Sequence, residues 1–131
     1  AEQCEQLSAA NKKVFVHIDL VDGLAPVPIA VDYISQMTSA IGVLTTHSSL
    51  IKRSSELGLL GIQRVFMLDG VALQRAKRSI AKIRPDFLEI LPGMMPTIVK
   101  KLTDYPKIPV IAGGLLTQGI DVENALGSAA V

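Results

Sequence analysis

Five short apolar segments, each stopping at a small cluster of polar or glycine residues, constrain the fold of this chain more than any other feature. They are Val14–Leu20, Ile41–Thr46, Ile62–Leu68, Phe87–Gly93 and Pro109–Gly114. Their centres lie roughly 22 to 27 residues apart, and helix-like sequence fills each gap. Strands alternating with helical stretches at that rhythm are the pattern of repeated βα units. The segments are near-continuous apolar runs, which predicts burial on both faces and a parallel sheet. Such a sheet collects its functional residues at the carboxyl ends of its strands.

Two closures fit an α/β chain of this kind, a TIM-like (β/α) barrel or an open doubly wound sheet. No glycine-rich dinucleotide turn follows the first strand. Polar residues stand at nearly every strand end, as when many loops share one central site. Both favour the barrel. Five strands do not close one, and the chain starts at Ala1 rather than Met and stops at Ala129-Ala130-Val131, which reads as the beginning of another buried strand. The barrel is therefore expected to be incomplete at both ends. No linker or low-complexity tract divides residues 1–131, so one domain is expected.

Nearly half of the residues are hydrophobic (49%) and 19% are charged, against a usual share of about 25% charged. That suits a buried sheet and argues against disorder. The net charge of +1 gives no broad electrostatic footprint for nucleic acid, so RNA binding needs a local patch. The basic spots are Lys12–Lys13, Lys52–Arg53, the Arg75/Lys77/Arg78/Lys82/Arg84 cluster and Lys100–Lys101, and each reads first as a solvated helix face. One cysteine, Cys4, permits no internal disulfide and fits a reducing, cytoplasmic setting. No apolar run reaches the roughly 20 residues of a membrane span.

Local signals place the helices. Residues 1–11 read as the tail of a helix, and Pro28 suits the first position of a second one. Ile29, Tyr33, Ile34 and Met37 give that helix an apolar stripe. Ser48 is the expected N-cap of a helix over 49–57, with Gly58 as C-cap. Asp69 is expected to cap a helix over 71–83, with Ala72, Ala76, Ile80 and Ile83 on its inner face and Pro85 blocking its continuation. Short helices are expected around 97–102 and 121–126, and Pro106 and Pro109 bracket the approach to the fifth strand.

Several side chains carry chemistry. The two-residue period of the first strand puts Phe15, His17 and Asp19 on one face. His17 and Asp19 there are either a satisfied buried pair that orders the barrel mouth or a ligand-facing pair. Glu89, mid-strand, needs a partner, with His17, Arg64 or a ligand hydroxyl as candidates. His17, Asp19 and Glu89 have the chemistry to hold a divalent cation, but their spacing matches no metal motif. Arg64, early in the third strand, calls for a carboxylate or an anion. Gly113-Gly114 at a strand end is either a tight turn or a place where backbone amides meet a phosphate. Thr45, Thr46, His47, Ser48 and Ser49 offer hydroxyls and amides at a helix start, which suits capping or an anion. Met94 and Met95 read as gap fillers.

Taken together, VHIDLVDGL, GVLTTHSSLI, GIQRVFMLD, LEILPGMMP and PVIAGGL, in this order and spacing, resemble the glycerol uptake operon antiterminator family over about residues 13–131. The resemblance implies a TIM-like barrel that responds to glycerol 3-phosphate as effector, with no cofactor, and acts on leader mRNA. It implies a regulator of glycerol utilisation rather than an enzyme. Carried over by position, Gly113 and Gly114 would belong to the phosphate site, and His17, Asp19 and Glu89 would line its polyol side. Gln63 and Arg64 match the family's IQR stretch, and Pro92-Gly93 its LPG turn. Two departures stand out. His47 occupies a position where the family commonly has Arg or Lys. The family's first strand and the Ser/Thr-rich stretch that follows the position of Val131, the other half of a phosphate clamp, are missing.

The other functional class is a small barrel enzyme, an aldolase or isomerase acting on a phosphorylated triose or sugar, with Glu89 or His17 as general base. No strand carries a lysine at its carboxyl end for Schiff-base chemistry, which weighs against it. A third is a ligand-binding barrel that serves as an interaction module. The RNA target and the oligomeric state stay open.

Overall fold

The apolar runs become strands, most of them shorter than the runs. The computed structural model describes residues 1–103, 108–128 and 130–131. Among these, five parallel strands alternate with helices in the order α1 (Glu2–Ala9), β1 (Phe15–His17), α2 (Pro28–Met37), β2 (Gly42–Thr45), α3 (Ser48–Glu56), β3 (Leu60–Phe66), α4 (Gly70–Ile83), β4 (Phe87–Leu91), α5 (Pro96–Thr103), β5 (Val110–Ala112) and α6 (Gly119–Gly127). Pro106 and Ala129 lie outside the described residues. This is the expected α/β fold. The chain divides into two compact units, 1–63 and 64–131, and β3 runs across the division.

In the first unit, β1 pairs with β2 in parallel from Phe15↔Gly42 to His17↔Leu44. Strand β2 pairs with β3 from Gly42↔Leu60 to Thr45↔Gln63. Val14, Ile18, Val31, Ile34, Val43 and Leu50 form its core. Each such side chain, fully buried, contributes roughly 1.5–3 kcal/mol. Pro28 opens α2 as expected. The inward face of α2 differs from expectation: Ala30, Val31 and Ile34 are buried, while Ile29, Tyr33 and Met37 are exposed. The sequence offers two apolar stripes, and the one with the smaller Ala30 and Val31 is the one buried. Helix α3 ends in a Schellman motif. The Leu59 N–H donates to the Ser54 carbonyl at 2.9 Å and the Gly58 N–H to Ser55 at 3.2 Å. Gly58 takes the left-handed φ of +74° that this motif requires.

The first strand stops earlier than its apolar run. Residues Ile18–Leu20 turn into a single 3-10 turn, so Asp19 leaves the strand and does not share a β face with His17. Ile18, fully buried, anchors that turn in the core.

In the second unit, β4 and β5 pair in parallel from Leu88↔Val110 to Ile90↔Ala112. Just past β3, the Met67 N–H donates to the Leu91 carbonyl at 2.8 Å. Ile80, Leu88, Ile90, Val99, Leu102 and Val110 lie at the centre of this unit's core. Asp69 caps α4 as expected, accepting the Ala72 N–H at 2.7 Å. Of the four residues expected on its inner face, Ala76 and Ile80 are buried and Ala72 is partly buried. Arg84 ends the helix in a left-handed conformation ahead of Pro85. Ala130 forms a parallel bridge with Val110, the strand-like start expected of the last residues. No helix among the described residues is long and apolar enough to cross a membrane.

Candidate ligand-binding site

The register of β1 on β2 carries the first cluster. With His17 opposite Leu44, the next residues of the two segments fall side by side, and Asp19 arrives at Thr45 and Thr46. The Thr45 hydroxyl donates to Asp19 Oδ1 at 2.5 Å. The Thr46 amide and hydroxyl both donate to Oδ2, at 2.8 and 2.7 Å. The Thr45 oxygen also accepts the His47 N–H at 3.1 Å, so this fully buried hydroxyl is used in both directions. His47 Nδ1 lies 3.4 Å from Asp19 Oδ1. Burial alone would raise the Asp19 carboxyl. The hydrogen bonds from Thr45 and Thr46, with His47 beside them, outweigh it and lower the pKa from 3.8 to about 2. Asp19 is thus an ionised anchor that ties the turn after β1 to the end of β2.

His17 is not part of that anchor. Both of its ring nitrogens are buried and have no hydrogen-bond partner among the described residues. The satisfied His17–Asp19 pair anticipated from the sequence does not form, because the 3-10 turn takes Asp19 to the threonines. A neutral imidazole brings one donor and one acceptor, and buried polar groups are ordinarily satisfied. His17 therefore has unmet hydrogen-bonding capacity.

The N-cap of α3 is His47 rather than Ser48, and it makes no side-chain cap bond. Ser48 lies one residue inside the helix, where its hydroxyl accepts the Gln63 amide at 2.9 Å.

The second cluster lies wholly in the second unit. Strand β3 starts at Leu60 rather than Ile62, which moves Arg64 from early in the strand to its fifth residue, toward the carboxyl end. Arg64 meets Glu89 of β4 in a two-point ion pair, Nε to Oε2 at 2.5 Å and Nη2 to Oε1 at 3.2 Å. The side chains are 20% and 12% exposed, enclosed enough for the geometry to matter and open enough for a ligand to reach them. A guanidinium has a third nitrogen, and Arg64 Nη1 has no partner among the described residues.

Bare backbone adjoins this pair. A Cβ on Gly113 would lie 3.0 Å from Glu89 Oε1, so the carboxylate lies directly over the Gly113 backbone. Pro92 carries the chain past β4 to Gly93, whose N–H donates to the Gly113 carbonyl at 2.6 Å. A Cβ on Gly93 would stand 2.7 Å from the Gly113 nitrogen, a backbone clash that only glycine avoids. The Gly113 N–H is committed to the Ile90 carbonyl at 2.9 Å, so Gly113 offers a ligand no free amide. Gly114, at φ +73°, keeps an N–H with no protein acceptor among the described residues. The start of α6 is already occupied: Asp121 accepts the Thr117 and Gln118 amides at 3.0 and 2.9 Å.

The residues marked in the sequence thus fall into an Asp19–Thr45–Thr46–His47 knot with His17 beside it in sequence, and an Arg64–Glu89 pair over Gly113 with Gly93 and Gly114. Thr45 as the central partner of Asp19 was missed. Extending the β1–β2 register by two residues sets Asp19 opposite Thr46, with Thr45 next to it. Among the described residues no group of three or more His, Cys, Asp or Glu side chains is placed to hold a metal ion.

Parallel strands alternating with helices in this way define a protein of the βα-barrel class. An aldolase at 14% identity and TM-score 0.77, and orotidine 5'-monophosphate decarboxylase of Methanocaldococcus jannaschii at 19% and 0.66, share that fold. The glycerol-3-phosphate responsive antiterminator family matches residues 1–131, and the chain belongs to that family. The glycerol uptake operon antiterminator regulatory protein of Listeria monocytogenes is 36% identical, with a TM-score of 0.94 over 98% of this chain and 70% of that one. A glycerol uptake operon antiterminator-related protein of Thermotoga maritima is 27% identical, with a TM-score of 0.88 over 98% of this chain and 73% of that one. The uncharacterized protein YgcP of Escherichia coli K12 is 31% identical over 127 residues, 97% of this chain and 66% of that protein. The chain spans just under two thirds of the length of this curated relative.

Proposed function

We propose that this chain is the sensor of a cytoplasmic transcription antiterminator, binding glycerol 3-phosphate and acting through it on the leader mRNA of glycerol-utilisation genes. The observation that carries the ligand is the Arg64–Glu89 pair over the Gly113 backbone. Glu89 is a carboxylate acceptor for polyol hydroxyls, and the third nitrogen of Arg64 and the Gly114 amide are donors for a phosphate. Gly93 and Gly113 let the turn after β4 and the Glu89 carboxylate lie close against the end of β5, where a side chain would intrude. In the first unit the proposal concerns His17, whose unmet ring nitrogens suit a hydroxyl, with Asp19 and Thr46 fixing the turn that follows it. The chain is read as one domain and as a regulator rather than an enzyme. Its family name supports regulation, and among the described residues no strand residue is a lysine that a Schiff-base aldolase would use.

Melting followed during titration with glycerol 3-phosphate tests the reading. Ligand at 100 times its dissociation constant adds about 2.7 kcal/mol to stability. Glycerol and inorganic phosphate, each holding half of the contacts, shift melting less. Glu89→Gln weakens the response. An unchanged melting temperature at millimolar glycerol 3-phosphate overturns the proposal.

A further inference from the structure

The chain carries 13 basic and 12 acidic residues, and these are not evenly spread. Five of the basic residues, Arg75, Lys77, Arg78, Lys82 and Arg84, fall within α4 and its C-cap, a stretch without a single Asp or Glu. Arg75, Arg78 and Lys82 are exposed. At spacings of three and four they share one face of the helix, a row about 10 Å long. Like charges at these spacings repel, and a helix surface meant only for solubility would alternate its signs.

The two arginines outside this stretch are paired. Arg53 binds Asp32 and Glu56, and Arg64 binds Glu89. Among the described residues none of Arg75, Arg78 and Lys82 meets a carboxylate. Among the described residues the three side chains make one hydrogen bond, from Arg78 Nε to the carbonyl of Gln74 at 3.4 Å, which leaves the charge unneutralised. The same face has relief: Gln74, Lys77, Arg78, Ala81 and Lys82 line a shallow groove of about 540 Å³. Asp69 caps the start of α4 and Ala76 and Ile80 fix its inner side in the core, so the row is held on a rigid element.

We propose that the outer face of α4 is the surface on which this protein holds RNA, with Arg75, Arg78 and Lys82 on successive phosphates. The inference rests on the antitermination reading for its partner and adds the place of contact. Phosphates are favoured over an acidic protein because the row is a line of unpaired cations on a helix without an aromatic residue, with Val71 its one exposed large apolar side chain, the composition of backbone contact rather than of a protein interface core. Ring stacking is not available on this helix, so contact is through the backbone and tolerant of sequence.

Binding of a labelled mixed-sequence single-stranded RNA, measured against salt, tests this. The variants are a set with Arg75→Gln, Arg78→Gln and Lys82→Gln, and an equal-charge control with Lys12→Gln, Lys52→Gln and Lys101→Gln. Removal of three phosphate contacts lowers the slope of log affinity against log salt by about 2 and weakens binding at low salt by about tenfold or more. The control set keeps most of the slope. Both sets keep the melting shift with glycerol 3-phosphate, which shows that fold and ligand response are intact. If the unaltered protein binds RNA and the α4 set binds it equally well, the surface is wrong and the antitermination reading survives. If the unaltered protein binds no RNA at low salt, the RNA arm of that reading falls and this surface falls with it. Polyglutamate displacing the RNA at equal charge overturns RNA in favour of an acidic protein.

Discussion

Thr46 grips one carboxylate oxygen of Asp19 twice, through its amide at 2.8 Å and its hydroxyl at 2.7 Å. With Thr45 on the other oxygen, the carboxyl is lowered from 3.8 to about 2. The folded state then binds this proton more weakly than the unfolded chain. Its contribution is fully present above about pH 4 and is lost as the pH falls through about 2. The shift corresponds to about 2 kcal/mol. Urea titrations from pH 5 down to pH 2 are expected to show the unaltered protein losing this increment relative to Asp19→Asn, which lacks it throughout. Parallel declines in the two proteins would contradict the role given to Asp19.

Arg64 and Glu89 pair with each other in a partly enclosed setting. Arg64→Met leaves the 12% exposed Glu89 without its counter-charge, and is expected to cost about 3 kcal/mol. The double variant Arg64→Met/Glu89→Leu removes both charges and is expected to recover most of that loss. A double-mutant cycle in denaturant measures the coupling, and a coupling near zero would refute the two-point pair.

Gly93 has no room for a methyl group, because its Cβ would meet the Gly113 nitrogen and the Ala112 carbonyl carbon at 2.7 and 2.8 Å. Gly93→Ala is expected to destabilise by about 1–3 kcal/mol as the backbone shifts. Gly70, at the first position of α4, has nothing within 4 Å of a built Cβ, and Gly70→Ala is expected to stabilise by about 0.4–1 kcal/mol. Thermal melts of the two variants should move in opposite directions.

His17 is expected to show opposite effects on stability and on ligand response. Its two buried ring nitrogens lack partners, so His17→Phe removes polar atoms that the fold does not satisfy. The ligand-free protein is expected to gain about 1 kcal/mol, while its melting response to glycerol 3-phosphate shrinks. A variant with unchanged response would remove His17 from the proposed contacts.

Much of the scaffold could be read from the sequence. Asp69, Pro28 and Gly58 signal their helix ends locally, and the structure places them there because caps depend on a few neighbouring residues. The errors concern choices made between elements. Ile29, Tyr33 and Met37 make as good a stripe as Ala30, Val31 and Ile34 until something packs against the helix. The turn at Ile18 ends β1 inside an unbroken apolar run, since burial of Ile18 does not require an extended backbone. At the candidate site the residue types were visible, and their pairing was not. Asp19 and Thr45 are 26 positions apart, and Arg64 and Glu89 are 25 apart; only strand register brings each pair together. Whether Gly113 offers a free amide depends on a sheet hydrogen bond to Ile90 that no local signal reveals.

Strand β3 holds two adjacent side chains to different duties: Gln63 reaches Ser48 and Arg64 reaches Glu89. Neighbouring residues in a strand point to opposite faces. Sliding β3 by a single position would bring either Ile62 and Gln63 or Arg64 and Val65 to the two positions now held by Gln63 and Arg64, losing both contacts at once. The strand is therefore keyed like a lock with two wards, and its alignment is proofread twice. Substitutions along 60–66 can disable one ward at a time, whereas any single insertion or deletion there jams both.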